Sequence, residues 1–143
     1  MRDEFQQRCD AIEEAYEFLL AYAAQGVSGD PGAGSQVREF LQRAAGALTG
    51  LGDLFGAVID RERLEPADRY RAYVAVLDRD ARDSLAAIEL VLAQPSISSQ
   101  LIDNLNASMH LRALLTDLFL IDEILKARDQ VTSQKSQVTS HNS

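Results

Sequence analysis

Ala44-Ala45-Gly46-Ala47-Leu48-Thr49-Gly50-Leu51-Gly52-Asp53-Leu54-Phe55-Gly56-Ala57 carries four glycines within eleven residues, inside a long helical period. Glycine costs about 1 kcal/mol relative to alanine in a helix interior. Four of them need a physical reason, and close backbone approach is the usual one. The flanking residues make the helical reading firm. Val37, Phe40 or Leu41, Ala44, Leu48, Leu51, Phe55, Val58 and Ile59 form a bulky apolar stripe. Gly46, Gly50, Asp53 and Ala57 form a second stripe of mostly small residues. Gly46/Gly50 and Gly52/Gly56 repeat the Gly-x-x-x-Gly spacing that lets helices approach closely. Glu39, Arg43, Asp53 and Asp60 interrupt the segment, so it does not read as a membrane span. A second helix over 35–64 is expected, glycine-rich and open to a kink.

Three more helical segments surround it. The first spans about 3–24, with Phe5, Cys9, Ile12, Tyr16, Leu19 and Ala23 on one face. Asp3 and Gln6 have the spacing of a capping box. Gly26 to Gly34 holds four glycines and a proline and reads as a plain mobile connection. No lysine follows Gly34, so the phosphate-loop pattern is not met. The third helix starts at Pro66 and stops at Pro95, with Tyr70, Val74, Leu77, Ala81, Leu85, Ile88 and Leu92 on its inner stripe. The fourth follows a serine N-cap among 96–99 and runs to about Arg128. Its second half, from Leu111 to Leu125, is apolar on more than one face, which implies burial on several sides.

Short connections between rods of this length predict an all-α, up-down-up-down antiparallel four-helix bundle. Residues 1–128 form the expected single domain. The Ser/Thr/Gln-rich segment 129–143, in which Val131-Thr132-Ser133 recurs as Val138-Thr139-Ser140, is expected to be a flexible tail.

Composition narrows the function. The net charge of −8 disfavours a phosphate backbone as partner, so no nucleic acid is expected. No run is apolar enough for a signal segment or a membrane span, so no membrane is expected. One cysteine forms no internal bridge, which suits the cytoplasm. Twelve arginines against two lysines suggest a GC-rich, bacterial coding sequence.

No metal is expected, because di-iron bundles need Glu-x-x-His pairs and His110 and His141 have Ala107 and Val138 at that offset. Nor is a cofactor expected. Asp103, Asn106, His110 and Asp117 share one stripe of the fourth helix. That stripe offers a carboxylate–histidine pair but no accompanying nucleophile, so the chain leans away from an enzyme.

Leu51-Gly52-Asp53-Leu54-Phe55-Gly56 locally resembles the glycine-kinked distal helix of haem oxygenases. That resemblance implies a backbone bordering a flat ligand. It departs from the family on the first helix, where only Cys9 and Tyr16 stand in place of a proximal histidine. In gross composition the chain is similar to small acidic helical chaperones of the flagellar export type, with no shared motif.

The leading expectation is a non-enzymatic protein–protein interaction module: an adaptor, assembly factor or chaperone, acting as a homodimer or on another protein. Asp10, Glu13, Glu14 and Glu17 on the first helix would bind the partner, with Leu115, Phe119 and Leu120 on the fourth. The alternative is a small-ligand- or cofactor-binding bundle. Its site would lie between Gly46, Gly50, Gly52 and Gly56 and the Asn106/His110 region, with Tyr16, Tyr70 and Tyr73 as polar handles.

Overall fold

The computed structural model describes the backbone of residues 1–141 and the side chains of residues 1–133. It is all-helical. Among the described residues there are six helices and no strand: α1 (Arg2–Ala24), α2 (Gln36–Leu48), α3 (Leu51–Glu62), α4 (Ala67–Leu92), α5 (Ser99–Ala107) and α6 (Met109–His141). Two of the four expected rods are therefore each divided in two.

The first division falls inside the glycine stretch. Thr49 turns extended and Gly50 takes φ +70°, a left-handed conformation that costs an L side chain roughly 1–2 kcal/mol. The second falls at Ser108, which is also extended and separates α5 from α6. α6 passes the expected domain boundary at residue 128 without a break, and its backbone is helical to His141. The end of the expected tail, residues 142–143, lies outside the described residues.

Local capping differs from expectation at one end and agrees at another. Asp3 lies inside α1, whose N-cap is Met1 with no side-chain bond, and Gln6 bonds Asp10 instead. Ser98 caps α5 by accepting from the Leu101 N–H at 3.0 Å.

Aromatic pairs fix how α1 lies on α2 and α3. Phe5 stacks on Phe55 with centroids 5.3 Å apart, and Phe18 stacks on Phe40 at 4.2 Å. The start of α1 thus meets α3 and its end meets α2. Arg2 reaches both Glu62 and Asp129, each at 2.7 Å, so the start of α1 also meets the far part of α6. α4 packs against α2, α3 and α6. Its buried seam is Leu77, Ala81, Ser84, Ile88 and Val91, a repeat of three and four. The sequence stripe had Leu85 where the seam has Ser84, and the Ser84 hydroxyl is buried with no hydrogen-bond partner.

The glycine stripe is not one face, and here the structure corrects the sequence reading. Gly52 is buried where α3 crosses α4. A Cβ there would lie 2.6 Å from the Asp78 Cβ and 2.9 Å from its Cα. Gly46 and Gly50 have nothing within 4 Å of such an atom, and Gly56 has only Val74 at 3.9 Å. Gly50 serves the chain's turn and Gly52 serves the helix contact. Spacing alone does not separate these roles, because both residues sit in the same run.

Candidate functional site

The Gly-rich connection between α1 and α2 is pinned by a buried ion pair. The Asp30 side chain is only 2% exposed. Its carboxylate accepts from Arg38 Nε at 2.7 Å, Ser35 Oγ at 2.7 Å and the Ile97 N–H at 2.7 Å. Arg38 also donates to the carbonyls of Leu92 and Gln94, which end α4. The guanidinium beside Asp30 holds its carboxyl well below the usual carboxylate range, against the opposing effect of burial. Ser99 completes this end: its Oγ donates to the Tyr22 carbonyl at 2.6 Å and accepts from the Val27 N–H. The loop expected to be mobile is a structural latch. Its only sequence signal was an aspartate in a turn eight residues before an arginine.

Asn106, His110 and Asp117 do not converge. Asn106 is buried, donates to the Leu19 carbonyl of α1 at 3.1 Å, and leaves its Oδ1 without a partner. The break at Ser108 then turns the chain. His110 is exposed, 3.9 Å from Asp83 of α4. Asp103 lies at the surface beside Gly26 and Ser99. No carboxylate–histidine pair of the expected kind is assembled among the described residues. No group of three or more His, Cys, Asp or Glu with metal-holding geometry occurs among them either. The Cys9 thiol is pushed up to about 12 by burial and by Glu13, Asp10 and Asp122, so it stays protonated.

Asp117 has a different partner. Its Oδ1 accepts from the Tyr73 hydroxyl at 2.7 Å, and Asp80 of α4 lies within hydrogen-bonding reach. Burial and the neighbouring Asp80 raise its carboxyl to about 7, with Tyr73 acting in the opposite sense. The folded state therefore holds a proton that the unfolded chain releases above the ordinary value of 3.8. Stability attributable to this carboxyl falls as pH rises from about 4 to about 7 and is level beyond. Asp117→Asn is expected to flatten that slope, as read by urea denaturation midpoints across this pH window.

Next to this pair, α4 and α6 enclose an apolar groove of about 200 Å³. Phe55, Ile121 and Leu125 form its buried floor. Tyr70 and Tyr73 of α4 face Leu120 and Ile124 of α6 across it, and Arg69 stands at its edge. It borders none of the four stripe glycines. Of the three expected tyrosine handles, Tyr70 and Tyr73 line it and Tyr16 does not; Asn106 and His110 also lie outside its lining.

The expected partner surface is divided by burial. Leu115 is 5% exposed and belongs to the core, which corrects its assignment. Phe119 is 58% exposed and Leu120 47%. Asp10, Glu14 and Glu17 are exposed on α1, and Glu13 is half-buried. Burial raises the Glu13 carboxyl, helped by Asp10, by Asp122 of α6 and by Glu17; Lys126 opposes them. The acidic face of α1 thus extends onto α6, where Asp122 lies three residues beyond Phe119.

Comparison with family models, with curated proteins and with solved structures found no match to this chain. Among the described residues, no helix is long and apolar enough to cross a membrane.

Proposed function

We propose that this chain is a non-enzymatic protein-interaction module, an adaptor, assembly factor or chaperone. In this reading its six helices act as the four rods of an up-down-up-down antiparallel bundle. The binding face is the α1–α6 seam, and its partner is a basic amphipathic helical segment of another protein. One observation carries this: Phe119 is exposed on α6 three residues before Asp122, whose carboxylate acts together with Asp10 and Glu17 on Glu13 of α1, with Lys126 as the opposing cation. α1 alone holds six carboxylates against two arginines, half of the net −8. A basic segment relieves that repulsion while covering the ring. A second copy docking through the same face would oppose like charges, so a foreign partner fits better than the homodimer. A cytoplasmic setting suits the single, buried thiol.

A designed leucine–lysine amphipathic helix is the probe, with its leucine–glutamate counterpart as control. Calorimetric titration is expected to show binding of the first alone, weakening as salt is raised. The double variant Glu13→Lys, Phe119→Ser, altered only outside the core, is expected to weaken it about tenfold or more, roughly the loss of one good contact. Equal binding of both peptides, or an unchanged affinity in the variant, would refute the reading. So would a stable dimer in sedimentation equilibrium that the same two substitutions dissolve.

A further inference from the structure

The groove between α4 and α6 is separate from that face, and its polarity is one-sided. Tyr73 lines it with its ring, because its hydroxyl is turned into Asp117 at 2.7 Å. The Asp117 carboxyl is itself withdrawn from the groove and buried. What remains is an apolar trough with one charged edge. Arg69 is exposed and makes no ion pair among the described residues, whereas its neighbour on the same helix, Arg71, is held by Asp60 at 2.9 Å. The trough is of ligand size: an engineered apolar cavity of about 150 Å³ takes up benzene, and this one is about 200 Å³.

We propose that this groove binds a small apolar carboxylate, a ring or short chain seated between Tyr70, Tyr73 and Ile124 over Phe55, with its carboxylate on the Arg69 guanidinium. The sign of the charge follows from the placement of the groups. A cation would need the Asp117 carboxyl, which Tyr73 screens from the groove. An anion needs only Arg69, whose planar fork matches a carboxylate with two parallel hydrogen bonds. The open rim at Leu120 and Ile124 gives entry without any helix having to part.

The test uses three probes of one shape on the intact chain: 4-phenylbutyrate, 4-phenyl-1-butanol and 4-phenylbutylamine. Calorimetry is expected to rank them acid, alcohol, amine, with the acid about tenfold tighter than the alcohol, as one charge-assisted contact supplies. Arg69→Gln is expected to bring the acid down to the alcohol and leave the alcohol unchanged. Ile124→Trp, a substitution at the rim, is expected to fill the trough and abolish all three. The proposal is overturned if the amine binds as well as the acid, if Arg69→Gln spares the acid, if Ile124→Trp changes nothing, or if no probe binds.

Discussion

Asp30→Ala is expected to lower the unfolding free energy by about 3–5 kcal/mol, the range seen when one partner of a buried ion pair is removed. The change leaves Arg38, itself mostly buried, without its counter-ion, and it strips the acceptor from Ser35 Oγ and the Ile97 N–H. For a chain of 143 residues the melting temperature should fall by roughly 10 °C. Calorimetric melts of the two proteins at neutral pH are the check; a fall under about 1 kcal/mol would show that the latch is dispensable. The same carboxylate sets an acid limit on the native chain. Its folded value lies below the ordinary 3.8, so its contribution is fully present above that value and is lost as pH falls beneath it. Asp117 acts in the opposite direction at higher pH. Between them, stability from these two groups is greatest near pH 4 and declines toward pH 7.

Gly52→Ala and Gly46→Ala should have opposite signs. At Gly52 the new methyl meets the Asp78 Cα and Cβ, backbone-level atoms that no rotamer change can move, so α3 and α4 must separate. Overpacking of this kind costs about 1–3 kcal/mol. At Gly46 the methyl enters open space on the exposed side of α2, and the helix gains about 0.5–1 kcal/mol. Urea midpoints of the two variants, measured side by side, decide whether one glycine is a contact and the other is not. Two changes of the same sign would mean that the run acts as a single stripe.

Those two glycines also show what the sequence made legible. Helix periodicity found the helical stretches up to residue 128, because apolar residues at spacings of three and four need no tertiary knowledge. It found neither the breaks at 49–50 and 108 nor the helical backbone beyond 128. The Gly-x-x-x-Gly pattern located the α3–α4 approach to within a turn, since Gly52 lies in the run. It did not show that Gly50 would instead take φ +70° and end α2. Both glycines satisfy the same spacing, and only the direction of a neighbouring helix separates their roles. The apolar excess of the last segment was legible as burial on several sides. Its outcome at Leu115 and Phe119, four residues apart with one in the core and one in solvent, depends on how α6 packs against its neighbours, chiefly α4.

The polar sites were less legible for a physical reason. Asp30, Arg38 and Ile97 are brought together by chain reversal across three connections, and no periodicity encodes such a meeting. Asp117 pairs with Tyr73 across helices, 44 residues away, so its neighbours along α6 gave no hint of it. Reading Asp103, Asn106, His110 and Asp117 as a stripe assumed one continuous helix. Ser108 breaks that helix and sends them to different surroundings.

The latch also gives the molecule a mechanical polarity. At one end, buried charge and Ser99 knit the close of α1, the opening of α2, the close of α4 and the approach to α5. At the other, Arg2 joins α1 to α3 and α6 only through partly exposed ion pairs, which in water contribute about 0–1 kcal/mol each. The two ends are therefore held by different forces: a buried polar network at the Asp30 end, and the apolar Phe5–Phe55 stack beneath screened ion pairs at the Arg2 end.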